Sequence, residues 1–166
     1  MLANDYQQIL QTLVNHRVDF IVIGAVSAVL NGAPLNTFDV DVVHSREPEN
    51  VDRLLAALKE LDAFYRFQPE RRIRPDTSHL ISPGHQLLQT KFGHADFLGS
   101  VTKQRTYQDL LPHTTEIAIT EDLSVKVLNL EMLIALKEEL GQEKDLAVLP
   151  LLRRTLEERR RADSRG

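Results

Sequence analysis

The chain contains no cysteine, so disulfides and thiolate metal centres are excluded, and that absence fits a reducing cytosol. It also lacks any long apolar run. Asn4, Asp5, Gln7 and Gln8 interrupt the start, which argues against a signal-peptide core, and no stretch approaches the roughly 20 apolar residues that span a bilayer. A cytoplasmic location with no membrane partner is the expectation. No Walker loop, Rossmann glycine pattern or nucleophile elbow is present. Internal repeats and low-complexity segments are missing as well.

What is present describes a soluble globular chain. Of its 166 residues, 42% are hydrophobic and 27% charged, enough for one domain with a real core. The net charge of −4 argues against a protein that coats nucleic acid, while leaving room for a local basic groove. Arg66, Arg71, Arg72 and Arg74 form one basic cluster, and Arg153, Arg154, Arg159, Arg160 and Arg161 a second. Both read first as solvated surface.

Hydrophobic periodicity predicts a helix over residues 3–16, a buried strand from Val18 to Ile23, and a glycine turn at Gly24. A short helix from Ala25 to Leu30 follows, closed by Asn31-Gly32, and then a strand from Phe38 to Val43. Residues 48–61 carry one apolar helical face. Between Phe64 and Pro83 the pattern is poor, with one short strand expected around His79 to Ile81. Leu87–Thr90 and His94–Leu98 read as a strand pair around Gly93, Thr106–Leu111 as a short helix, and Glu116–Thr120 with Ser124–Leu128 as a hairpin. Asn129 is placed to cap a helix from Leu130 to Leu140 that Gly141 ends. A last helical region runs from Glu143 to about Arg161, its second half expected to begin at Pro150. The fold class is therefore α/β (α+β), with one mixed sheet and flanking helices. A single domain is expected: a sheet-containing core over 1–128 and C-terminal helices over 129–161.

The chemistry concentrates in two places. Asp39 and Asp41, two apart on a strand, point to one face. Neighbouring carboxylates repel and resist desolvation, so such a pair is kept where a cation or proton sits between them. Asp96, in the short apolar strand Phe92–Leu98, is the best third acid. His94 and His44 stand near these acids, but neither completes a ligand set.

In these blocks the chain resembles the polymerase-beta-like nucleotidyltransferase superfamily. Within it, it is similar to the small bacterial nucleotidyltransferases that include the toxins of abortive-infection-type toxin–antitoxin pairs. Gly24-Ala25, Ala28, Gly32, Pro34, Thr37, Asp39 and Asp41 match the order of that signature. So does the tail, from Val125-Lys126-Val127-Leu128 through Glu131–Lys137 to Lys144-Asp145-Leu146. The resemblance implies metal-dependent transfer of a nucleoside monophosphate from a nucleoside triphosphate to RNA, a protein or a small molecule. It implies that Asp39, Asp41 and Asp96 are catalytic and hold Mg2+ (or Mn2+). It further implies that Gly24, Ala25, Ser27 and Thr37 bind the nucleotide, with Lys137 and Lys144 neutralising the triphosphate, and that an antitoxin is a partner. Two positions depart from the pattern. Ala25 replaces a Gly or Ser, so no hydroxyl is available there, and Leu35 stands where an arginine is frequent. A catalytically silent member that binds a nucleotide or a protein partner is the alternative, and it predicts a closed or misaligned site around those two residues. An aminoglycoside-like acceptor ranks lower, because so short a chain offers little room for a cleft.

Overall fold

The computed structural model describes residues 5–37 and 39–165. Its first helix, α1 (Tyr6–Asn15), is started by Asp5, whose side chain accepts from the Gln8 amide at 3.2 Å. β1 (Phe20–Ile23) runs directly into α2 (Gly24–Leu30), and β2 (Val40–His44) into α3 (Pro48–Glu60), which carries Pro48 in its first turn. Phe38, expected to open the second strand, lies outside the described residues.

The remaining elements are β3 (Phe64–Tyr65), α4 (Thr77–Ile81), β4 (His85–Thr90), β5 (Gly93–Leu98) and α5 (Tyr107–Leu110). They are followed by β6 (Thr114–Thr120), β7 (Leu123–Leu128), α6 (Leu130–Leu140) and α7 (Glu143–Arg165). The strands form one mixed seven-stranded sheet in the order β3-β4-β5-β2-β1-β7-β6. β2 pairs with β5 and β1 with β7 in parallel, and every other pair is antiparallel.

The centre of the sheet is buried on both faces, and strand alternation decides which residue goes where. Val22, Val40, Val42, Ala95 and Phe97 pack with α1 and α3. Ile21, Ile23, Val43 and Leu128 pack on the opposite side with Leu133 and Leu136 of α6 and Leu149 and Leu152 of α7. Asp41, between Val40 and Val42, therefore faces the α6/α7 side, and Asp96, between Ala95 and Phe97, does the same. That single consequence of period-two alternation places the acids beneath the C-terminal helices.

Two expectations fail. Residues 77–81 form a helix rather than a strand: Asp76 caps it, accepting from the His79 amide, while the His79 ring accepts from the Asp76 amide. This reciprocal cap stabilises a turn that apolar content alone does not signal. Pro150 lies inside α7 rather than starting a new helix. Leu149 and Leu152 on either side of it are buried, and the Leu146 carbonyl that loses its donor sits on an exposed turn. Packing outweighs the missing hydrogen bond. No helix among the described residues is long and apolar enough to cross a membrane.

Candidate active site

Asp41 and Asp96 are directly opposite each other in the parallel β2–β5 register. Ile23, the last residue of β1, is opposite Asp41 on the other side. Gly24 follows with φ +69°, a conformation that glycine adopts freely. A side chain there would overlap the Asp41 carboxylate, and its Cβ would lie 3.2 Å from the Asp41 Cβ. The missing side chain lets the start of α2 lie against the acid.

Burial is the largest influence on Asp41, followed by the charge of Asp96, the hydrogen bond it shares with Asp96, and the charge of Asp39. Together they push its pKa up to about 7, against the opposing pull of Lys137. Asp41 therefore resists ionisation near neutral pH.

Asp39 sits just before β2, half exposed, with its Oδ1 3.5 Å from the His94 ring Nδ1. Thr37 donates from its hydroxyl to the Asp39 carbonyl at 3.3 Å, so it shapes the approach to β2. Asp96 is gripped by Arg66, whose Nη1 donates to Oδ1 and whose Nη2 lies 3.4 Å from Oδ2. The Asp96 hydrogen bond is the main reason the Arg66 pKa is raised further.

The three acids are thus neighbours without forming a closed set. Among the described residues, no three His, Asp or Glu side chains converge as a metal-binding group. Their chemistry nonetheless fits a divalent cation: hard carboxylate oxygens, two of them in register, with a surplus of negative charge. Asp96 is at present paired with the protein's own Arg66, while Asp39 lies near the His94 ring.

The sheet and the C-terminal helices enclose a cavity of about 750 Å3, within the range of small-molecule sites. Gly24 and Asp41 line one side, and Leu133, Leu136, Lys137 and Lys144 the other. The Lys137 ammonium lies 3.1 Å from Asp145 Oδ1, and the Asp145 side chain is only 2% exposed. Its Oδ2 has no hydrogen-bond partner among the described residues. Lys144 is exposed at the cavity wall and has no such pairing among the described residues.

The candidate residues therefore separate. Asp41, Gly24, Lys137 and Lys144 line one cavity, Asp96 is in register with Asp41, and Asp39 and Thr37 lie at the approach to β2. Ser27 does not join them as a free hydroxyl: it is fully buried and donates to the Gly24 carbonyl at 2.6 Å, securing the turn. Ala25, which contributes no hydroxyl, borders a smaller cavity with Gly24, Leu35 and Lys137. Arg66 is the site residue that spacing alone does not single out. It is one of four arginines in an irregular segment, and only the pairing of β3, β4 and β5 brings it to Asp96.

No known family profile matches the chain, and no curated protein matches it by sequence. Solved structures do match. TM1012 from Thermotoga maritima, a protein provisionally assigned as a nucleotidyltransferase, superposes with a TM-score of 0.56 at 18% identity, covering 92% of this chain and 91% of its own. The lincosamide antibiotic adenylyltransferase LnuA, solved with lincomycin bound, superposes with a TM-score of 0.61 at 13% identity, covering 89% of this chain and 94% of its own. At these identities the likeness is one of architecture. The chain has the nucleotidyltransferase fold.

Proposed function

We propose that this chain is a nucleotidyltransferase that moves a nucleoside monophosphate from a nucleoside triphosphate to an acceptor hydroxyl. The observation that carries this reading is the in-register pair Asp41–Asp96, with Asp41 lining a cavity and the side-chain-free Gly24 against it. Two carboxylates side by side, with only the protein's own Arg66 to offset them, favour a bound cation.

Asp41 and Asp96, with Asp39, are the residues that would hold Mg2+ or Mn2+. Such an ion supplies charge neutralisation at the phosphates and makes a hydroxyl easier to deprotonate. Asp41, whose pKa is raised, would have to be deprotonated to hold such an ion. Gly24 and Ala25 offer backbone rather than side chain to the phosphates. Lys137 and Lys144 supply positive charge on the opposite wall, and the apolar surface of Leu133 and Leu136 suits the base and sugar. Ala25 and Leu35 border only a small separate cavity of about 60 Å3, so the space beside them leaves the silent alternative standing.

A small-molecule acceptor gains weight from LnuA, a chain of comparable length that carries lincomycin. Length is therefore no obstacle to a small-molecule cleft. The second reading, a cytoplasmic toxin that acts on RNA or a protein and is held by an antitoxin, rests on the resemblance of the Gly24–Asp41 signature and of the tail from Val125 to Leu146.

The test uses α-labelled nucleoside triphosphates with Mg2+ or Mn2+, offered in turn hydroxyl-bearing antibiotics, total RNA and a protein extract. Label should pass to one acceptor class with the wild type and not with Asp96→Asn. Failure to label any acceptor while nucleotide binding persists would favour the silent, partner-binding alternative.

A further inference from the structure

Arg66 ends a rank of residues that crosses the sheet. Its amide donates to the Leu87 carbonyl at 3.2 Å, Leu87 is opposite Asp96, and Asp96 is opposite Asp41. The Arg66 backbone thus lies across Leu87 from Asp96, and its guanidinium reaches the Asp96 carboxylate. Both partners are mostly shielded, with the Arg66 side chain 19% and the Asp96 side chain 15% exposed. The other arginines of the segment are engaged elsewhere: Arg72 and Arg74 with Asp62, and Arg71 with Gln68. Arg66 alone is committed to the carboxylates.

A guanidinium fork and a divalent ion compete for the same carboxylate oxygens, and their charges repel at contact distance. A site that keeps its own cation is neutralised when empty, and it surrenders that cation when a better one arrives. The displaced guanidinium, on a chain segment beside the acids, is then a planar fork without a partner, the geometry that suits phosphate oxygens.

We infer that Arg66 is the resident counter-cation of Asp96, displaced by the divalent metal and handed on to the phosphates of the incoming nucleotide. This rests on the nucleotidyl-transfer reading of the site. It makes metal and nucleotide bind cooperatively. Metal alone must displace Arg66 with nothing gained in return, whereas metal with nucleotide gives the guanidinium a new anionic partner. Arg66 is on this account a substrate-binding residue as well as a metal competitor.

The test is Mn2+ binding followed by electron paramagnetic resonance, with and without an ATP analogue whose α–β bridge is methylene. The proteins are the wild type, Arg66→Gln, Arg66→Lys and Asp41→Asn, each checked for native circular dichroism. Without nucleotide, Arg66→Gln should bind Mn2+ about tenfold more tightly than wild type. The gain in Mn2+ affinity on adding the analogue should shrink in the same variant. Arg66→Lys keeps a charge but not the fork and should fall between the two, which preserves the test if Arg66→Gln does not fold. Equal or weaker Mn2+ binding by both Arg66 variants, with binding abolished in Asp41→Asn, overturns the role of Arg66 and leaves the nucleotidyl-transfer site standing. Unchanged Mn2+ binding in Asp41→Asn overturns both.

Discussion

Gly24 lies so close to Asp41 that the carboxylate fills the space a Gly24 side chain would need. The two residues come from different elements, the start of α2 and the middle of β2, and the register Ile23–Asp41 fixes their approach. A turn glycine thereby becomes part of the site's geometry.

Gly24→Ala should damage both fold and site. It adds a Cβ at φ +69° and forces the Asp41 carboxylate to move. Denaturant unfolding should show a loss of about 1–3 kcal/mol. Metal-dependent nucleotide binding should vanish even at temperatures where the variant is folded. Full retention of both would remove the glycine from the argument.

Asp41 should make metal-free protein sensitive to alkali. Its folded pKa, about 7, is raised above the ordinary 3.8, so its contribution is fully present below pH 3.8 and is lost as pH rises through 7. Asp41→Asn should therefore equal wild type near pH 4 in chelator and exceed it at pH 8 by on the order of 2–4 kcal/mol. Urea unfolding at the two pH values checks this. A variant less stable than wild type at pH 8 would contradict it.

The opposite sign applies at Glu139. It accepts from Arg105 at 2.5 and 2.6 Å and from Thr102 at 2.8 Å, tying the 101–105 loop to α6. The Arg105 hydrogen bonds are the main reason its pKa falls to about 2 from an ordinary 4.5. The stability it adds is present above pH 4.5 and lost as pH falls toward 2. Wild type should exceed Glu139→Gln in urea midpoint at pH 6, with the gap narrowing between pH 4.5 and 3. A gap that widens with acid would show that the tie is not ionic.

Lys137 has a structural duty that its position in the cavity wall conceals. Removing it strands the buried Asp145, and losing one partner of a buried pair typically costs about 3–5 kcal/mol. Lys137→Ala should be strongly destabilised and Lys137→Ala/Asp145→Asn much less so, measured by denaturant unfolding. Any nucleotide defect of Lys137→Ala is interpretable only against that double variant. Lys144→Ala, on an exposed side chain, should leave stability within about 0.5 kcal/mol and report on the nucleotide alone.

Local signals were enough for much of the fold. Asn129 and Gly141 bound α6 at both ends, with Asn129 accepting from the Met132 amide at 2.9 Å and Gly141 at φ +60°. Asp41 and Asp96 were visible because carboxylates inside apolar strands stand out. What stayed hidden depends on contacts distant in sequence. Arg66 reaches Asp96 only through the β3–β4–β5 register, and α4 depends on a cap made by a histidine. Pro150 continues a helix because buried neighbours hold it there. The resemblance makes Ser27 a nucleotide ligand, yet its hydroxyl is used by the Gly24 carbonyl.

The most direct test of the central claim is thermal unfolding with Mg2+ or Mn2+ and each nucleoside triphosphate, for wild type and Asp41→Ala/Asp96→Ala. At 100 times its dissociation constant a nucleotide adds about 2.7 kcal/mol, an upward shift of about 5–10 °C at this size. The account predicts such a shift for wild type, dependent on metal and absent from the double variant. A shift of equal size in the double variant, or none in wild type with any nucleotide, would contradict it.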